Sequence, residues 1–238
     1  MNNVGNKQHF AFVTGGSGFV GGRLIEALVA HGWQVRALVR GKRAAASVTA
    51  LGAVPVLGEL TDQAALSQAM AGSKVVFHVA ALFKMWGKQK EFNAVNVDGT
   101  RALVEAAVAT PSVEKVIMVS AGAVVQGDPV PLVNIDESVP VQQRSFAPYS
   151  ASKAAAEQIL LAANGRRAGF QTVAIRPPNN LGRGHAHARS DGGSGESRQL
   201  AVAGCRNPGH IDRSRRQSRR RAPAGGGSGP GRLLCGGC

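Results

Sequence analysis

The stretch Val13-Thr14-Gly15-Gly16-Ser17-Gly18-Phe19-Val20-Gly21 constrains the fold of this chain more than any other. It follows a short apolar run, His9–Thr14, that reads as a strand, and it opens the amphipathic stretch Val20–His31, which reads as a helix. Glycine reaches positive φ at no steric cost, so the turn between them can be tight. Its backbone N–H groups can then approach an anion held at the helix N-terminus. A bare glycine triplet marks any tight turn. Between a strand and a helix it is a cradle for the pyrophosphate of a dinucleotide, and it asks for a parallel α/β sheet around it.

The rest of residues 9–181 agrees with that demand. Strands are expected at Gln34–Arg40, Val54–Gly58, Lys74–Ala80, Lys115–Ser120 and Thr172–Arg176. Helices are expected at Asp62–Ala71, Asn93–Ala109 and Tyr149–Ala163. Strands bounded by helical patterns imply βαβ crossovers and helices on both faces of one sheet. The expected fold class is α/β, a Rossmann-type doubly wound parallel sheet occupying residues 1–182.

Residues 183–238 have another composition. They lack Phe, Trp, Tyr and Met, and they hold 11 of the 28 basic residues but only 3 of the 14 acidic ones. All three cysteines, Cys205, Cys235 and Cys238, lie there. With so little apolar surface to bury, this basic tail is expected to be disordered, because ordering the backbone costs roughly 1–2 kcal/mol per residue. Without interleaved aromatics, the Arg213–Arg221 run is a poor nucleic-acid arm. Cys235-Gly236-Gly237-Cys238 lacks a second strong pair, so no metal is expected. An odd cysteine count, no apolar leader and no membrane-length apolar run point to the cytoplasm.

The spacing Thr-Gly-x-x-Gly-x-x-Gly resembles the extended short-chain dehydrogenase/reductases, the NAD-dependent epimerase/dehydratase family, and in its reductase-like members especially. By that resemblance Gly15, Gly18 and Gly21 contact the dinucleotide, and Phe19 and Val20 anchor the loop to the sheet. Sites for NAD commonly end the second strand with an acid. Here the segment is Leu38-Val39-Arg40-Gly41-Lys42-Arg43, with no acid. Arg40 with Lys42 or Arg43 can pair with a 2′-phosphate, so NADP is expected, NAD being the other possibility. The alternative is a solvated basic loop. Gly58-Glu59-Leu60-Thr61-Asp62 resembles the family's segment near the adenine, placing Glu59 and Leu60 there, although Asp62 can also simply cap the next helix. His78-Val79-Ala80-Ala81 is similar to the stretch where small residues, Ala80 and Ala81, let a cofactor pass close to the sheet. His78 itself is expected to be structural, and Asn96 to brace the active-site backbone. Arg176-Pro177 resembles the segment that runs beside the nicotinamide. The resemblance ends at Gly182.

Tyr149 and Lys153 stand at i and i+4 and project from one helix face. A free phenol has a pKa of about 10, and a neighbouring ammonium favours its ionised form. Tyr149 can thus exchange a proton with a substrate oxygen while a nicotinamide exchanges hydride, with Lys153 on the nicotinamide ribose by family resemblance. The third family member is a Ser or Thr after the fifth strand. One alignment makes it Ser120; another, set by the distance to Gly127, puts Gly122 there. A hydroxyl seated on Tyr149 supports catalysis, whereas Gly122 in that place supports binding alone. The expected function is a reductase or epimerase/dehydratase acting on a carbonyl or alcohol of a small molecule, its alternative a non-catalytic NAD(P)-binding sensor or scaffold. A homodimer accords with the family. Back-translation adds one expectation about the tail. Read one nucleotide later, codons for Arg213 onward yield a His-Val-Asp-Asn segment and a helical apolar pattern, and the same shift makes His187–Gly192 family-like. The tail is therefore expected to be a frameshifted stand-in for the substrate-binding part, with activity in doubt.

Overall fold

The structure, a computed structural model, describes residues 9–84, 86–125, 135–142 and 145–177. Six strands alternate with helices: β1 Phe10–Thr14, α1 Phe19–Ala30, β2 Gln34–Val39, α2 Lys42–Ala50, β3 Val54–Leu57, α3 Gln63–Met70 and β4 Val75–His78. Then come α4 Gln89–Phe92, α5 Gly99–Ala109, β5 Lys115–Val119, α6 Pro148–Ala162 and β6 Gln171–Ile175. The sheet order is β3-β2-β1-β4-β5-β6 and every pair is parallel. This is the expected Rossmann-type doubly wound sheet.

Alternation of side chains along a strand feeds two cores. On one face Phe12, Val76, Val116 and Met118 pack with Leu66 and Met70 of α3, Leu103 of α5 and Leu160 of α6. On the other, Val13, Val35, Ala37 and Val39 pack with Ile25 of α1 and Val48 of α2. Neighbours such as Phe12 and Val13 therefore serve opposite layers. Both are fully buried, and each such side chain contributes roughly 1.5–3 kcal/mol by leaving water.

Two departures from the sequence reading have physical causes. Residues 42–50, to which the sequence reading gave no element, form α2. The segment is rich in alanine, so propensity carries it, and Val48 is its one buried anchor. The expected single helix over 93–109 begins instead with a more widely wound segment. A π-helical segment, Asn93–Asp98, joins α4 to α5 and turns Asn96 into the interior. Asp62 caps α3, its carboxylate accepting from Ala65 N at 3.0 Å, as the alternative for that residue foresaw. The tail and Pro178–Gly182 lie outside the described residues, so the expected disorder, the cysteines and the frame question are untouched by the structure.

Candidate active site

With every strand parallel, the carboxyl ends of all six share one rim. β1 and β4 are neighbours there although distant in sequence, which makes the gap between them the switch point where such sheets take ligands. The glycine turn sits in that gap. Gly15 has φ +72°, and a Cβ on it would stand 2.6 Å from Ala80 N. A Cβ on Gly21 would overlap the carbonyl oxygen of Gly15. These two glycines are thus demanded by the chain's own packing, which draws the turn onto the end of β4 and the helix onto the turn. Gly18 donates to Gly15 O at 3.0 Å and is the N-cap of α1, with no side-chain cap and no acid in the first turn. Phe19 and Val20, half-buried, form that first turn. The helix start keeps its positive dipole end available to an anion.

The other expected cofactor residues lie along the same rim. Arg40 directly follows β2 and is exposed; Lys42 and Arg43 are exposed in the first turn of α2. Among the described residues no carboxylate pairs with any of the three. Glu59 is exposed after β3, while Leu60 is half-buried against Gly99, where an added Cβ would stand 3.2 Å from Leu60 Cβ. Ala80 and Ala81 follow β4, and the carbonyl of Pro177 after β6 accepts from Gly122 N at 2.8 Å. A glycine cradle, an uncapped helix start and an unpaired cationic strand end fit the phosphates of a dinucleotide.

Behind this rim runs a buried network whose donors and acceptors can be assigned. Thr14 Oγ1 accepts from Ala80 N at 3.2 Å and lies 2.8 Å from His78 Nδ1. Thr100 Oγ1 gives its proton to Asn96 O at 2.6 Å and lies 2.8 Å from His78 Nε2. The proton on Thr100 is spent, so His78 donates through Nε2 and accepts from Thr14 through Nδ1. Burial first, then the charge of Lys153, holds the imidazole neutral with its pKa lowered to about 3. His78 is therefore structural, as expected. Asn96 accepts from Leu82 N at 2.7 Å, and its amide donates to Leu82 O and to Ser152 Oγ. Ser152 in turn donates to Tyr149 O at 2.7 Å. The bracing expected of Asn96 is present and extends to the helix of Tyr149.

On α6, Tyr149 is half-buried and its ring meets Phe83 edge-on at 4.9 Å. Burial raises its phenol above the ordinary value. The ionised form that a nearby ammonium was expected to favour is not the resting one, because burial strips hydration from the phenolate. Lys153 is buried, donates from Nζ to Val119 O at 2.7 Å, and has its pKa lowered to about 8 by burial, against the opposing pull of Glu157. Ser120 is buried too, and its hydroxyl donates to Glu157 Oε2 at 2.5 Å. Arg176 reaches Glu157 Oε1 from Nε at 2.9 Å and from Nη2 at 2.6 Å. The rim thus brings Tyr149, Lys153 and Ser120 to one end of the sheet, but it ties Ser120 to Glu157. Sequence reasoning missed Glu157, since a mid-helix glutamate reads as a solvated charge. Its place four residues after Lys153, with Arg176 ending the next strand, was the available signal.

A parallel sheet of this order, a glycine turn at the switch point and a Tyr-x-x-x-Lys helix at the same rim define the class of short-chain dehydrogenase/reductases. The model of the 3-beta hydroxysteroid dehydrogenase/isomerase family matches residues 12–190, and the chain belongs to that family. The match passes Gly182, where the sequence reading ended the resemblance. A 4-hydroxy-2-methyl-3-oxo-4-farnesyl-3,4-dihydroquinoline-1-oxide ketoreductase of Stigmatella aurantiaca is 48% identical over 166 residues, 70% of this chain and 48% of the relative. A 3-beta-hydroxysteroid dehydrogenase of Mycolicibacterium neoaurum is 34% identical over 180 residues, 72% of this chain and 48% of the relative. A short-chain dehydrogenase/reductase superfamily protein of Agrobacterium tumefaciens, solved with bound NAD, superposes with a TM-score of 0.60 at 30% identity, covering 71% of this chain and 48% of that one. The chain spans about half the length of the curated relatives it matches.

Proposed function

We propose that this chain is the cofactor-binding and proton-transfer part of an NADP-dependent reductase acting on the carbonyl of a small molecule, with NAD as the second candidate cofactor. The observation that carries this reading is the pair Tyr149 and Lys153, standing on one helix face at the rim that also holds the glycine turn. Arg40 and Lys42, exposed and without a carboxylate partner among the described residues, support a 2′-phosphate; the Agrobacterium neighbour's NAD keeps the other cofactor in play. A nicotinamide bound at this rim supplies hydride to the carbonyl carbon, or takes it from an alcohol in the reverse direction.

In reduction, Tyr149 gives its phenolic proton to the carbonyl oxygen as that oxygen gains charge. The resting neutral phenol suits this direction better than epimerisation or dehydration, which begin by taking a proton from an alcohol. Lys153, held by Val119 O one turn away, then stabilises the phenolate left behind. Glu59, Leu60, Ala80, Ala81 and Pro177 line the path between adenine and nicotinamide ends. Three exposed aromatics, Phe83 on the Tyr149 ring, Trp86 shortly after Phe83 and Phe146 shortly before Tyr149, support an apolar substrate. The ketoreductase named above is in accord with this. A cytoplasmic homodimer is the accompanying expectation, supported by the cysteine-free body of the chain and by the family. No helix among the described residues is long and apolar enough to cross a membrane.

One observation favours a second reading, a protein that binds the cofactor without turnover: the hydroxyl of Ser120 is on Glu157 and not on Tyr149. Titration with NADPH and NADH, followed by the fluorescence of Trp33 and Trp86, tests the cofactor, and NADPH is expected to bind tighter. In an intact version of the protein, Tyr149→Phe is expected to keep cofactor affinity and to lose turnover by about a hundredfold or more. Retained turnover removes Tyr149 from its role; an intact version that binds cofactor but reduces no carbonyl supports the second reading.

A further inference from the structure

We infer that Ser120 is a positioning residue, one jaw of a buried clamp with Glu157 and Arg176 that seats α6 on the ends of β5 and β6, so that Tyr149 works with Lys153 and without a serine hydroxyl. The inference rests on the Tyr149–Lys153 reading above and changes only the third member of the site.

A serine hydroxyl has a single proton to give. To polarise a substrate carbonyl, that proton must point at the carbonyl oxygen. In this chain it points at Glu157 Oε2, 2.5 Å away, in a bond strengthened by the carboxylate's charge. The other carboxylate oxygen is taken by two nitrogens of Arg176. Turning the Ser120 hydroxyl toward a substrate leaves Oε2 of a carboxylate that is 1% exposed without its donor, which is the costly half of any hydrogen-bond exchange. The backbone is fixed on both sides as well. Ser120 N donates to Ile175 O at 2.7 Å, and the carbonyl just before it, Val119 O, accepts from Lys153 Nζ. Three elements thereby meet on one carboxylate: β5 through Ser120, β6 through Arg176, and α6 through Glu157 itself, one turn beyond Lys153. The charged and titratable groups about this point are Lys153 and Glu157 of α6, Arg176 after β6, and the neutral His78 at the end of β4, which Lys153 faces.

The chain contains a single tyrosine, so the near-ultraviolet absorbance of phenolate titrates Tyr149 and nothing else. Rapid pH jumps read that midpoint before alkaline unfolding, in the full chain with no cofactor or substrate. Ser120→Ala is expected to move the phenol midpoint by less than about 0.3 pH unit and to lower the urea midpoint of folding, with Ser120→Thr restoring much of the loss. A hydroxyl that bonded the phenolate would instead, on removal, raise the midpoint by about one to two units, and that result overturns the inference. Should Ser120→Ala fail to fold, Ser120→Cys, nearly isosteric and a far weaker donor, is read the same way. Lys153→Met separates this outcome from failure of the underlying reading: loss of the ammonium raises the phenol midpoint if the two act together, whatever Ser120 does. An unmoved midpoint in Lys153→Met denies the pair, whereas a midpoint moved by both variants keeps the pair and returns Ser120 to the catalytic site.

Discussion

Gly21 shows how one residue's missing atom can matter to both architecture and ligand. A Cβ there collides with the Gly15 carbonyl, a backbone atom that cannot swing away. Gly21→Ala is expected to cost about 1–3 kcal/mol of stability, the usual range for overpacking a tight site, and to weaken cofactor binding as the turn lifts from β4. Chemical denaturation with and without NADPH checks both; unchanged stability means that the turn has room to relax. The glycine triplet was legible in the sequence for a general reason, because strand, turn and helix each left a pattern around it. The fate of the Ser120 hydroxyl was not. The alignment that chose Ser120 assumed that a serine near the site points into it, and the direction of a rotor is decided by a partner 37 residues away.

Between elements, the chain Thr14–His78–Thr100–Asn96 ties β1, β4 and the start of α5 together through a neutral imidazole. Its cost is a pH dependence. His78 titrates near 6.5 when unfolded and near 3 when folded, so between those values the unfolded chain holds a proton that the folded chain does not. Stability therefore falls as pH drops below 6.5, by up to about 1.4 kcal/mol per pH unit until the folded value is reached. Urea midpoints at pH 7 and pH 5 are expected to show this slope, and His78→Gln to flatten it; an equally steep slope in the variant assigns the loss to another group. Most elements were legible from apolar alternation and helical spacing, which is why strand ends fell within a residue or two. Helix α2 escaped because alanine and serine carry little periodic signal. The π-helical turns at 93–98 escaped because an inserted half-step leaves the apolar spacing on each side intact; only the buried Asn96 betrays it.

For the molecule as a whole, the composition changes after Gly182, while the family match runs on to residue 190. We propose that a shift in reading frame near Gly184 accounts for the aromatic-free text of the tail. Sequencing the coding DNA decides the matter: an open shifted frame that restores family-like text supports it, and early stop codons in that frame end it. Bonds such as Thr14 to His78, 64 residues apart, and Asn96 to Ser152, 56 apart, close long loops. Order at the rim therefore rests on contacts with high loop-closure cost. A nucleotide that recognises the finished rim and not the open chain will draw the folding equilibrium toward itself, by RT ln(1 + [L]/Kd). Cells short of cofactor would then be expected to hold less of this protein folded, so that its abundance follows the nucleotide pool.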